Sequence, residues 1–177
     1  MAKFRLKPHE LKDFKNLIKD TATHKSAQEM KNYIQHADVS TYRHAMAVAL
    51  LCFCIVKRFK IKANEKSLVK GAFLHDYFLY DWHNKGDRLH GYHHPAIAAE
   101  NAKRDFNVTD HEASIIKTHM WPLTITKIPK SREAAIVCIA DKMISSRESF
   151  AGNGKIIGNR LKRKILPPNK RHGIKDK

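Results

Sequence analysis

The chain has 177 residues and a formal charge of +17, from 34 Lys and Arg against 17 Asp and Glu. A hydrophobic fraction of 42% excludes a wholly disordered protein, and the length suits one domain with a short appendage. No apolar run reaches the roughly 20 residues of a membrane-spanning helix, and the start MAKFRLKPHELKDF lacks the apolar segment of a signal peptide, so a cytoplasmic protein without membrane association is the default expectation.

The elements read as helix after helix. Pro8 can occupy the first turn of PHELKDFKNLIKD, with Leu11, Phe14 and Ile18 on one face. Ser26 and Glu29 have the spacing of a capping box that opens a second helix to about His36. Ser40 begins a long third helix through Phe59. Its run AMAVALLCFCIV, flanked by Arg43 and Lys57, is that of a buried core helix. Asn64 starts a fourth helix to about Tyr77, and Pro95 stands at the first turn of another through Phe106. Thr109 and Glu112 form a second capping box, leading to about His119, and Trp121-Pro122 ends that helix. Ser131 caps a last helix from Arg132 to about Phe150, terminated by Gly152 and Gly154.

No stretch alternates convincingly as a strand, so the expected class is all-α: a helical bundle with its site among the central helices. Residues 1–39 read as an N-terminal helical extension packed on the domain, 40–150 as the domain and 151–177 as a basic tail. The last 23 residues carry nine basic residues and one acid, a balance of +8 that leaves +9 for the rest. Such a tail can touch nucleic acid or stand as a solvated end. Cys52, Cys54 and Cys138 are an odd set in apolar stretches, which suggests reduced core thiols. The connections are short except for Tyr80–His93 and Met120–Lys130, and long loops in compact domains are often functional.

Five of the twelve histidines fall between Phe73 and Pro95: His75, His83, His90, His93 and His94. Others sit on apolar helices. His44 precedes Val48 and Leu51, His75-Asp76 closes LVKGAFLHD, and His119 ends an Ile115-Ile116 helix. Asp141 lies within IVCIADKMI, where an unpaired carboxylate is costly to bury. Each alone has a bland reading as a satisfied core residue or a plain ion pair. Together, four apolar helices each present a metal-binding type of side chain, and bundles build metal sites from such inward projections. A divalent cation is the natural partner for buried carboxylates and neutral imidazoles.

The order His44, His75-Asp76, His94, His119, Asp141 resembles the HD-domain superfamily of metal-dependent phosphohydrolases, in its binuclear H…HD…H…H…D form. Among characterised members the second half is most similar to bacterial diadenosine tetraphosphate hydrolases. His94-Pro95-Ala96 resembles their histidine at the start of a small-residue helix, and Ala140-Asp141-Lys142 with Arg147 resembles their Ala-Asp-Lys segment and its arginine. Two places depart: Tyr77 follows the HD motif where that family has a lysine, and Ile144-Ser145 replaces its Glu-Pro. HDYFLYDWH…HG…HP…HMWP is more similar to a separate bacterial branch of HD proteins.

The resemblance implies that His44, His75, Asp76 and Asp141 hold one metal, and that Asp76 bridges to a second completed by His94 and His119. Iron is the expected metal, with manganese or magnesium as alternatives. The implied reaction is hydrolysis of a nucleotide or other phosphoester by a metal-activated water. Lys142 and Arg147 are candidates to hold phosphate. Tyr80 and Trp121, with Tyr77 and Trp82, are candidates to stack a base or plain packing residues. His90 and His93, like His83, can donate a proton to a leaving group or stand as loop surface residues. His90 also competes with His94 as ligand. Two other readings use the same chain: a di-iron oxygenase of the HD fold, and a non-catalytic nucleotide- or RNA-binding module acting through the tail.

Overall fold

A computed structural model describes residues 5–36, 39–81 and 89–151. His83, Trp82 and the basic tail lie outside the described residues. The elements are α1 (Pro8–Thr23), α2 (Lys25–Glu29), a 3-10 turn (Met30–Asn32), β1 (Ile34–His36), β2 (Val39–Ser40), α3 (Thr41–Phe59), α4 (Glu65–Leu74), α5 (His90–Phe106), α6 (Asp110–Thr118) and α7 (Arg132–Ala151). The fold is all-α apart from the small hairpin. Among the described residues no helix is long and apolar enough to cross a membrane.

The caps explain most boundaries. Ser40 Oγ accepts from Arg43 N at the start of α3, and Asn64 Oδ1 accepts from Ser67 N at the start of α4. Thr109 and Glu112 close a reciprocal capping box on α6, as their spacing suggests. α3 and α5 end at Lys60 and Asn107 in the left-handed conformation, with φ of 52° and 46°.

Three expectations need correction. The helix expected from Ser26 to His36 stops at Glu29, and its N-cap is His24, whose ring accepts from Ser26 N. After the 3-10 turn the chain forms a hairpin that pairs Ile34 with Ser40 and His36 with Val39. Strands of three and two residues are too short to show alternation in a sequence. The third correction concerns α5, which begins at His90 and carries Pro95 in its interior. Proline's fixed φ is helical, so the ring costs the backbone bond to Gly91 but does not impose a start. His90 and His94 therefore sit one turn apart on one helix.

α3 is central. α4 and α7 pack against it, α6 contacts α4, α5 and α7, and α1 covers α4. The apolar faces expected for α1 and α3 meet at Phe14 and Phe53, whose rings are 5.6 Å apart. Tyr42 stands edge-on to Phe73, and Tyr77 to Phe106. Cys52, Cys54 and Cys138 are free and buried, as reduced core thiols should be. α4 and α6 pack closely at Gly71, where a β-carbon would stand 2.9 Å from Ile115 Cγ2. One helical turn further along each element lie His75 and His119.

Candidate metal centre

Five elements deliver the polar groups to one buried place. His44 comes from α3, His75-Asp76 from the end of α4, His94 from α5, His119 from the end of α6 and Asp141 from α7. His44 and His75 are completely buried, and the other four are 6% exposed or less. The six residues that the H…HD…H…H…D order singles out are thus brought together.

Each imidazole is held by its Nδ1. His75 Nδ1 donates to Ala72 O and His119 Nδ1 to Ile116 O, both at 2.7 Å. These carbonyls belong to the last turns of α4 and α6, whose acceptors have no partner within the helix. His94 Nδ1 donates to His90 O at 2.8 Å, and His44 Nδ1 donates to the Glu148 carboxylate at 2.8 Å. Carbonyls and carboxylates only accept, so all four rings carry the Nδ1 proton. Their Nε2 atoms then face the centre as lone pairs, the arrangement that partners outside the ligand set impose on metal-binding histidines.

Those lone pairs face other acceptors. His44 Nε2 is 3.3 Å from Asp141 Oδ1 and 3.7 Å from Asp76 Oδ2. His75 Nε2 is 3.2 Å from Asp76 Oδ2 and 3.6 Å from Asp141 Oδ1. On the other side His94 Nε2 and His119 Nε2 stand 3.1 and 3.4 Å from Asp76 Oδ1, and 2.9 Å from each other. Acceptors this close repel unless a proton or a cation lies between them. His75 Nε2 and Asp76 Oδ1 are buried with no hydrogen-bond partner among the described residues. Neighbouring ligands about 2.1 Å from a common metal stand about 3.0–3.4 Å apart, and four of these seven separations fall in that range. Two overlapping triads, His44–His75–Asp141 and His75–Asp76–His119, each bring their donor atoms within 4.8 Å of one another. The donor set fits divalent metal.

The electrostatics agree. Burial opposes charge on His44, but hydrogen bonds to Asp141 and Glu148 outweigh it and raise the group to about 9. His75 is likewise raised well above its ordinary range, with Asp76 and Asp141 overcoming burial. Asp76 and Asp141 are held well below the usual carboxylate range; burial pushes them up, and the imidazoles more than reverse it. His119 falls to about 3, through burial and then the neighbouring His75 and His94. Without a metal, protons on His44 and His75 balance the carboxylates.

The remaining candidates divide. His90 is buried on α5, its Nδ1 is 2.8 Å from the Tyr80 hydroxyl, and its ring stacks on His94 at 4.5 Å. Leu79, with φ of 56°, turns the chain so that Tyr80 reaches it. His93 is exposed, because successive helical residues diverge by about 100° and His94 takes the inward position. It does not join the cluster. Tyr77 is buried and donates to Asp105 at 2.7 Å, so it packs the core instead of lining a substrate wall. Trp121 is 39% exposed in the segment after His119. Lys142 Nζ donates to His119 O at 3.0 Å and stands 3.9 Å from Asp141 Oδ2. Arg147 is half-buried on α7, and its neighbour Glu148 turns to His44 instead of pairing with it.

Two residues of the centre escaped the sequence reading. Glu148 lies seven residues after Asp141, two helical turns on the same face, and that spacing was the available signal. Gln35 comes from β1 and donates from Nε2 to Asp76 Oδ2 at 2.6 Å. Nothing in its local sequence marks it, since the hairpin itself was not foreseen. No curated protein and no solved structure matches the chain. A family model described as the HD domain matches residues 41–145, so the chain belongs to the HD domain family, whose members bind divalent metals and are typically metal-dependent phosphohydrolases.

Proposed function

We propose that the protein hydrolyses a nucleotide or other phosphoester at a centre of two divalent ions. The observation that supports this most is the convergence of four Nδ1-anchored imidazoles on two carboxylates, with acceptor facing acceptor. His44, His75, Asp76 Oδ2 and Asp141 would hold one ion, and Asp76 Oδ1, His94 and His119 the other. Bound ions supply Lewis acidity, polarising the phosphoryl oxygens and lowering the pKa of water. An all-nitrogen-and-oxygen donor set suits iron, manganese or magnesium, and iron is our assignment.

The chain's own residues do the rest. Glu148 and three backbone carbonyls keep each imidazole in its ligating tautomer. Arg147 binds substrate phosphate through its fork of donors, and Lys142 adds charge while tying α7 to the end of α6. His90, held by Tyr80, protonates the leaving oxygen as the phosphorus–oxygen bond breaks. Tyr80 and Trp121 contact the part of the substrate that is not phosphate.

Metal analysis after anaerobic purification, followed by a phosphoester screen, tests the proposal. Two ions per chain are expected, with phosphate or nucleotide released under anaerobic conditions and with redox-inert metal. Oxygen consumption that requires iron would replace the hydrolase reading with the oxygenase one. Full activity in Asp76→Ala would remove the mechanism.

A further inference from the structure

Gln35 lies outside the residues matched by the family model, yet its amide reaches the middle of the centre. Side chains alternate along β1, so Ile34 faces out at 51% exposure while Gln35 faces in at 6%. The orientation of the amide follows from chemistry. An ionised carboxylate only accepts, so Nε2 must face Asp76. Oε1 is left toward the Thr41 hydroxyl, at 3.5 Å. Thr41 N also donates to Tyr33 O at 2.9 Å, which ties the hairpin to the first turn of α3, just before His44.

Asp76 is asked to face two ways. Its Oδ2 looks to His44 and His75, and its Oδ1 to His94 and His119. The two oxygens stay on opposite sides of the Cβ–Cγ bond, so rotation about it would swing each of them away from its own histidine pair. Among the described residues, the Gln35 amide is the donor that reaches this carboxylate from outside the histidine set. We infer that Gln35 is a positioning residue that holds Asp76 as a bridge between the two histidine pairs. This rests on the two-ion reading above. The hairpin thereby becomes part of the metal centre, and an accessory segment sets whether the second ion binds.

The test uses the full chain, stripped with chelator and titrated with Mn²⁺ by calorimetry and EPR. The variants are Gln35→Met, which keeps size but removes the donor, and Gln35→Leu, which removes the donor with a shorter apolar side chain. Wild-type protein should take two ions with an exchange-coupled spectrum. In Gln35→Met the weaker ion should lose about tenfold or more in affinity, the tighter ion should stay within about threefold, and the spectrum should become that of isolated ions. Should Gln35→Met fail to fold by circular dichroism, Gln35→Leu decides, with the same loss expected. Wild-type protein that takes fewer than two ions overturns the two-ion reading and this inference together. Variants that bind two coupled ions as wild type does, with only a lower melting temperature, would make Gln35 structural and leave the two-ion reading intact.

Discussion

Gly71 and Ile115 touch where α4 crosses α6, and a β-carbon on Gly71 would fall 2.9 Å from Ile115 Cγ2. One turn on, the rings of His75 and His119 stand 4.8 Å apart, edge to face. The missing side chain lets two helices approach closely enough for their terminal histidines to share a centre. Gly71→Val should therefore act on metal binding at a distance. Overpacking of this kind costs about 1–3 kcal/mol, and metal content should fall with the melting temperature. Ile115→Ala in the Gly71→Val background should restore part of both, read by thermal denaturation and elemental analysis.

Glu148 fixes His44 through one hydrogen bond between fully or nearly fully buried groups. Glu148→Ala leaves His44 Nδ1 without that acceptor. Removing an orienting partner of a metal-binding histidine lowers affinity by about 10–100-fold. Glu148→Gln keeps an acceptor oxygen in place and should lose less. Calorimetric titration of stripped protein separates the two.

Metal affinity should rise with pH. At pH 7 the metal-free centre carries a proton on His44, whose pKa is about 9, and on His75. Each proton displaced by metal makes the apparent affinity rise about tenfold per pH unit, up to the pKa of that group. Titrations at pH 6.5, 7.5 and 8.5 check the slope, and proton release shows as buffer-dependent heats.

The metal-free protein should have a stability maximum near the ordinary histidine pKa of 6.5. His44 is raised, so its contribution is complete below 6.5 and is lost as pH climbs through about 9. His119 is lowered, so its contribution is complete above 6.5 and is lost as pH falls toward about 3. Denaturant titrations in chelator across pH 4–10 would trace this. Adding metal at 100 times its dissociation constant at pH 7 should add about 2.7 kcal/mol, and the same metal concentration should add more at alkaline pH, where affinity is higher.

Arg147 should affect substrate without affecting the ions. A charge-assisted hydrogen bond is worth about 1.5–3 kcal/mol. Arg147→Ala should then raise KM by roughly ten- to a hundredfold, with metal content and melting temperature unchanged. Steady-state kinetics on the best phosphoester from the screen provides the measurement.

The helices and the ligand order were legible because they are local properties. Thr109 and Glu112 announce a cap, Phe14 and Ile18 a buried face, and His44, His75, Asp76, His94, His119 and Asp141 stand in an order that resembles H…HD…H…H…D. Donor types that cannot be buried alone, placed on apolar helices, already imply a shared cation. What local reading could not supply depends on contacts far apart in the chain. Gln35 and Asp76 are 41 positions apart, and His44 and Glu148 are 104 apart. Pro95 suggested a helix start, but α5 begins at His90, so one of the adjacent pair His93 and His94 had to turn outward. Only packing decides which imidazole nitrogen faces the centre and which acceptor holds the other, because a tautomer is set by a partner in space and not by a neighbour in sequence.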